Sequence, residues 1–340
     1  MNNHPVGKIS NTCNGPRFIG VFLLVTVFLC GCSDPKPHRE TRFMMGTLVD
    51  VVLYTDAKTA PEAANRAFES IGRVENAAHP AGEDSPLFRV RHGQGTRIEG
   101  DLLRILETAM GVSRATSGAF DPTMGQVVYM WGFGHDDPRL PDPQEIEVAL
   151  EKTGYDRVPL GECCPQGLDI WFDLGGVAKG YAVDDAVKVL KETGARAGIV
   201  NAGGDLRSFG IRPRRGYWKI GVQDPSNPQE LAGVLEIKEA AVATSGDYQR
   251  YFEKDGVRYH HILDPATGYP AHAGLRGTTV IAPDCATADA LATAVFVMGP
   301  EKGVALLEEW DGAEGVLITD NGSILTTSGI GENGIRFEER

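Results

Sequence analysis

Between Gly198 and Thr326 the chain alternates short apolar, β-rich stretches with turn residues, and this rhythm limits the fold more than any other feature. Gly198–Asn201, Trp218–Gln223, Val234–Ile237 and Ala240–Ala243 follow one another closely. Arg258–Leu263 and Thr278–Ala282 flank a Pro/Gly loop, and Gly315–Thr319 with Ser323–Thr326 reads as a hairpin around Asn321-Gly322. Upstream, Thr47–Tyr54 and Leu168–Phe172 also read as strands. Helical spacing of apolar residues marks Pro61–Ala77, Asp101–Ala115 and a stretch carrying Ala182, Val183, Ala186, Val187 and Leu190. Thr287–Met298 and Lys302–Trp310 read as two more helices, whereas His79–Gly100 and Ser117–Asp142 show no clear period. Short neighbouring strands with helices inserted between them predict an α+β fold with largely antiparallel sheets. No repeat or low-complexity linker divides the chain, so 42–340 reads as one domain.

The first 31 residues read as a leader. Residues 1–17 are polar with Lys8 and Arg17 and no acid, and Phe18–Leu29 is unbroken apolar sequence. That order is a secretory signal, and the run falls short of the roughly twenty residues that span a bilayer. Leu29-Cys30-Gly31-Cys32 resembles a bacterial lipobox, which implies cleavage before Cys32 and lipidation of its thiol. Residues 32–41 would then tether an extracytoplasmic, periplasm-facing protein to a membrane by more than one hydrocarbon chain.

A net charge of −13 in 340 residues argues against nucleic-acid binding, which needs clustered cations. The six cysteines form no C-x-x-C and no zinc pattern. A disulfide from Cys285 to Cys163 or Cys164 is compatible with an oxidising compartment.

Several segments carry polar groups where chemistry would need them. Asp289 and Thr293 lie four apart in an otherwise apolar helix, so their oxygens share one face. Such an acid either caps the helix or, with the hydroxyl, offers hard oxygens to Mg²⁺. Asp173-Leu-Gly-Gly-Val-Ala-Lys-Gly180 joins a strand to a helix start, as anion sites do, and also as simple close packing does. Gly329-Ile-Gly331-Glu-Asn-Gly334 matches a dinucleotide pattern but has no room for a βαβ unit. Asn201-Ala-Gly-Gly-Asp205 and Ala243-Thr-Ser-Gly-Asp-Tyr248 each follow a strand and read as turns, the second with hydroxyls that could hold a phosphate. His260-His261-Ile-Leu-Asp264-Pro-Ala-Thr267-Gly-Tyr-Pro270 is the densest polar cluster and reads as a rigid functional loop. A histidine there is a natural proton acceptor for a hydroxyl nucleophile.

Taken with Met45-Gly-Thr47, Gly118-Ala-Phe-Asp-Pro-Thr123 and Trp131-Gly-Phe133, these segments resemble the FAD:protein FMN transferases, the ApbE-type flavin transferases. The matching pieces fall in order along nearly the whole chain after residue 42. The resemblance implies a T-fold-like α+β architecture with the site in a cleft between two halves. It implies Mg²⁺-dependent transfer of FMN from FAD to a Thr or Ser hydroxyl of an acceptor protein, with release of AMP. Acceptors would be redox-pump subunits or extracytoplasmic flavoproteins. It assigns the metal to Asp289, Thr293 and the Gly176 carbonyl, and flavin contacts to Met45, Ala119, Phe120, Asp121, Asp173, Lys179 and Leu263. His261 becomes the candidate base. Many members carry an aromatic residue and Ser-Glu-Leu-Ser-x-x-Asn where this chain has His79-Pro-Ala-Gly-Glu-Asp-Ser-Pro-Leu-Phe, so His79 stands in for the ring that packs on the flavin. Alternatives are an FAD pyrophosphatase using water as nucleophile, a non-enzymatic FAD-binding lipoprotein and a structural lipoprotein. Asp289, Thr293 and His261 favour a catalyst, since storage needs neither metal clamp nor base.

Overall fold

The computed structural model describes residues 36–340 except 95–96, 134–137, 159, 161–168, 228 and 333. The leader, Cys32, Cys163 and Cys164 lie outside the described residues. The strands are β1 (His38–Met44), β2 (Thr47–Tyr54), β3 (Ala197–Ala202), β4 (Asp205–Phe209), β5 (Trp218–Gln223), β6 (Leu231–Ile237), β7 (Ala241–Gly246), β8 (Tyr251–Lys254), β9 (Val257–His260), β10 (Leu275–Ala282), β11 (Glu314–Thr319), β12 (Ile324–Thr326) and β13 (Arg336–Glu339). The helices are α1 (Ala60–Ala78), α2 (Pro86–Arg91), α3 (Gly100–Ala115), α4 (Gly125–Trp131), α5 (Pro143–Leu150), α6 (Ala178–Glu192), α7 (Cys285–Met298) and α8 (Pro300–Glu309).

Eight strands form one antiparallel sheet in the order β1-β2-β3-β4-β7-β10-β11-β12. The period of two in each strand sends alternate side chains to opposite faces. On β7, Ala241 and Ala243 join the core beneath the helices, while Val242 joins a second core against Trp218, Val222, Leu235 and Ile237 of the three-stranded sheet β13-β6-β5. The molecule is therefore layered: helices, large sheet, small sheet. A third apolar cluster gathers α4, α5 and the β8-β9 hairpin around Trp131.

Local sequence explains the elements that matter for the site. The β1–β2 hairpin has a two-residue turn with Met45 and Gly46 both at positive φ (52° and 70°), as a type I′ turn requires. α7 is apolar on all sides and is buried on all sides, as such a helix must be. Asp284 caps it by accepting from the Thr287 N–H at 2.8 Å. α6 reaches α7 closely because Gly180 has no side chain: a Cβ there would lie 2.3 Å from the Cys285 carbonyl oxygen.

Some readings of the sequence need correction. Leu168–Phe172 does not join a sheet among its described residues; Trp171 alone makes a bridge, to Met124. The two irregular stretches contain α2 and α4, each a short helix whose few apolar positions give little period. β1 begins at His38, inside the stretch read as tether. β7 runs on through Gly246, so Thr244-Ser245 lie in the strand and not in a following turn. Cys285 is a free, buried thiol. Among the described residues no helix is long and apolar enough to cross a membrane.

Candidate active site

The first turn of α6 and the middle of α7 bring opposite charges together under the sheet end. Asp289 is 4% exposed and Asp205, at the start of β4, is 3% exposed. Lys179 stands between them: its ammonium is ion-paired to Asp205 and lies 3.6 Å from Asp289 Oδ2. Asp289 Oδ2 also accepts a long hydrogen bond, 3.4 Å, from the Gly180 N–H. Burial, and then the nearby Asp205 carboxylate, push Asp289 up to about 7 against the opposing pull of Lys179. The two carboxylates raise Lys179 despite its burial, so it stays an ammonium. Two buried acids sharing one cation leave the site short of positive charge.

Thr293 sits one turn beyond Asp289, its hydroxyl 3.2 Å from Ser245 Oγ on β7. Gly176 faces the same hydroxyl. A Cβ on Gly176 would lie 3.1 Å from both Thr293 Oγ1 and the Phe120 ring, so only glycine leaves that space open. Thr293 thus lies against Gly176 and one turn along α7 from the buried Asp289, so a carboxyl group, a hydroxyl and a peptide group neighbour one another. This donor set fits a hard divalent cation. Among the described residues no cluster of three or more His, Cys, Asp or Glu forms a metal cage. A Mg²⁺ held here would accordingly rely on hydroxyl, carbonyl, water and substrate oxygens for the rest of its shell.

The start of α7 is fixed from outside the helix. Asp184 of α6 accepts from the Cys285 N–H at 2.9 Å and the Ala286 N–H at 3.0 Å, and Arg207 of β4 pairs with it at 2.6 Å. Two otherwise unpaired helix donors are satisfied, and the phase of α7 is locked to α6.

The two histidines divide their work. His260 is buried, with Nε2 2.9 Å from the Ala271 carbonyl and its ring edge-on to Phe296; it belongs to the core. His261 is only partly covered. Its Nδ1 lies 3.3 Å from the Arg250 carbonyl, so a proton on Nδ1 is donated there and Nε2 keeps its lone pair. Burial, then Arg250, holds His261 down near about 4, with Lys179 also acting on it. The imidazole is therefore neutral at pH 7. The loop after it is braced by Asp264, whose carbonyl accepts from the Gly268 N–H at 2.7 Å, and by Trp131, whose indole donates to Gly268 O at 2.9 Å.

The other residues read from sequence fall as follows. Asp173 lies within the field of Lys179 and Arg250, is raised by burial, and accepts from the Gly175 N–H at 2.9 Å. Phe120 packs beside Gly176, and Ala119 precedes it half-buried. The Asp121 carboxylate is engaged within the protein, by Thr123 Oγ1 at 2.6 Å and the Thr123 and Tyr155 N–H groups at 2.8 and 3.2 Å. Met45 is in the β1–β2 turn, its N–H donating to Glu75 at 2.6 Å. Leu263 is buried against the Trp131 cluster and bridges Pro270. His79 is exposed at the end of α1, its Nδ1 accepting from the Ala81 N–H at 3.2 Å. The reading of sequence missed Asp205, Ser245, Arg250 and Asp184 as site residues. Asp205 and Ser245 each lay in a quoted motif, but spacing alone gave no sign that they face Lys179 and Thr293.

The comparisons agree on one family. The model of the ApbE family matches residues 45–317. The FAD:protein FMN transferase of Treponema pallidum is 31% identical over 92% of this chain and 93% of its own. That of Haemophilus influenzae is 32% identical over 84% of this chain and 87% of its own. Among solved structures, the ApbE protein of Thermotoga maritima is 34% identical with a TM-score of 0.78, covering 86% of this chain and 97% of that one. The flavin transferase ApbE of Vibrio cholerae gives 0.75 at 28% identity, with 86% and 97% covered.

Proposed function

The chain belongs to the ApbE family, and from that membership we propose that it is an FAD:protein FMN transferase using Mg²⁺ and a Thr or Ser hydroxyl of its acceptor. The observation that carries the reading is the buried Asp205–Lys179–Asp289 group beside Thr293 and Gly176. The acceptor oxygen forms a bond to the FMN phosphorus of FAD, the bond from that phosphorus to the bridging oxygen breaks, and AMP leaves with the bridging oxygen. The hydroxyl proton passes to Nε2 of His261. Asp289, Thr293 and the Gly176 carbonyl would hold Mg²⁺, which when bound would supply charge neutralisation for the pyrophosphate. Lys179 holds Asp205 and Asp289 in place between substrate turnovers and adds a fixed positive charge. Gly175 and Gly176 keep the approach free of side chains, and Phe120 walls it. Met45, His79, Ala119, Asp121, Asp173 and Leu263 bound the flavin.

The leader supports a lipid anchor at Cys32 and an extracytoplasmic location facing the periplasm. Acceptors would then be flavin-carrying proteins of the same compartment.

The test uses residues 34–340 with FAD, Mg²⁺ and a flavin-acceptor domain from the same genome. In-gel flavin fluorescence and an FMN mass increment on one Thr or Ser, abolished by EDTA and by Asp289→Ala, are expected. AMP and FMN released without a labelled acceptor would make it a pyrophosphatase instead. FAD bound with neither product would leave a flavin carrier.

A further inference from the structure

Strand register defines the two ends of the large sheet. His38, Leu53, Gly198 and Phe209 form one row across β1, β2, β3 and β4, and Val49, Ala202 and Asp205 form another at the opposite end. The Gly203–Gly204 turn therefore shares its end of the sheet with the groups around Asp205. Between the outer face of this sheet and the small sheet lies a cleft of about 390 Å³, lined by none of the residues assigned to the reaction. That size falls in the range of ligand sites, about 300–1,000 Å³.

One wall consists of Asp50, Asn201, Leu206, Thr244 and Thr279, from five neighbouring strands. Their strand neighbours Val49, Ala202, Ala243 and Val280 pack under the helices, so this wall is the face turned away from them. The other wall is β5, through Lys219, Ile220 and Gly221, and no described residue of β6 or β13 reaches the cleft. β5 is the last strand of its sheet, with β6 as its one neighbour among the described residues. Alternate residues of such a strand turn N–H and C=O away from the partner strand. Those groups of residues 219–221 bond to no described residue, and they border the cleft.

At the active-site end the lining is Gly203, Gly204, Tyr248 and Gln249. Both glycines have positive φ, 66° and 108°, and a Cβ on Gly204 would meet nothing within 4 Å. The rim is bare of side chains there and runs straight on to Asp205. Gln249 donates to the Thr244 carbonyl at 3.1 Å, and the next residue, Arg250, accepts the His261 N–H at 3.1 Å. The Tyr248 hydroxyl makes no hydrogen bond to a described residue. The cleft thus reaches the candidate base along one short stretch of chain.

An unpaired strand edge beside a polar groove takes an extended peptide by β-augmentation, main-chain bonds supplying the affinity. We propose that this cleft holds the extended segment of the acceptor protein that flanks its Thr or Ser. The segment pairs with β5, and its hydroxyl is led over the Gly203–Gly204 turn to the active site. The proposal rests on the transferase reading, which supplies a protein acceptor.

Residues 34–340 form one compact unit and serve for the test, with FAD, Mg²⁺ and the acceptor domain. Lys219→Trp and Gln249→Trp, at exposed positions of the lining, fill the cleft. Each should raise KM for the acceptor about tenfold, with kcat, FAD affinity and melting temperature unchanged. On the unaltered enzyme, an acceptor domain carrying a diazirine residue beside its Thr or Ser should photolabel β5 and Tyr248. Unchanged KM in both variants, or photolabelling elsewhere, overturns the proposal and leaves the transferase reading standing. Weakened FAD binding in the variants would put part of the nucleotide in the cleft and also overturns it. A wild-type enzyme that labels no acceptor sinks the transferase reading, and the proposal with it.

Discussion

At the scale of single residues, Asp289 decides most of the site's behaviour. Its carboxyl is raised to about 7, so below that pH a divalent cation at the proposed site would have to displace a proton to bind. The apparent affinity for Mg²⁺ should therefore fall about tenfold for each pH unit below 7 and level off above it. Calorimetric titration of Mg²⁺ across this range measures it, and Asp289→Asn should abolish the dependence together with tight binding. The same shift acts on folding. Between the ordinary carboxylate range and 7 the native state holds a proton the unfolded chain has lost, so without metal stability falls as pH rises through that window. Melting in EDTA should show the decline, and Mg²⁺ should offset it most at high pH. Lys179→Met removes the cation shared by Asp205 and Asp289 and should cost about 3–5 kcal/mol in chemical denaturation. Asp289 and Thr293 were legible in the sequence because an acid in an apolar helix is conspicuous and a spacing of four fixes its partner. Asp205 was not, because a strand-end acid after Gly-Gly looks the same whether it faces a lysine or water.

At the scale of elements, the site depends on how α6 meets α7. Gly180→Ala would put a methyl group 2.3 Å from a backbone oxygen, which cannot be relieved by a rotamer change. The helices must part, and we expect a loss of about 1–3 kcal/mol and weakened Mg²⁺ binding, read by denaturation and by the same titration. Asp184→Ala uncaps α7 and strands Arg207; about 1–2 kcal/mol of stability should go with it. Long elements with full apolar stripes, such as α1 and α3, were visible within a residue of their ends. The hairpin around Asn321-Gly322 was equally visible, because its turn chemistry is specific. The six residues of α2 and seven of α4 were not, since two turns of helix give too few positions to establish a period. Their placement comes from tertiary packing: Trp131 ends α4 inside an aromatic cluster drawn from β8, β9 and the Tyr269 turn.

At the scale of the whole molecule, the α+β class and antiparallel sheet followed from the rhythm of short strands and turns. The strand order did not, because β4 and β7 are neighbours across a long excursion through β5 and β6 that local pattern does not reveal. That excursion builds the small sheet covering the face opposite the helices, leaving the reactive groups on the helical side. The register that sets His38 and Asp205 at different levels of the same sheet has a consequence for encounter. Were the domain tethered through Cys32, as proposed, its first strand would be the part nearest the tether, and acceptors in the same membrane would be searched in two dimensions. Only acceptors that present their hydroxyl within the span of the tether would then be reached. Lengthening the segment between Cys32 and His38 should therefore widen the range of acceptors modified in cells, without altering turnover of a soluble one. Flavin labelling of membrane fractions from strains carrying inserted Gly/Ser spacers would measure that span.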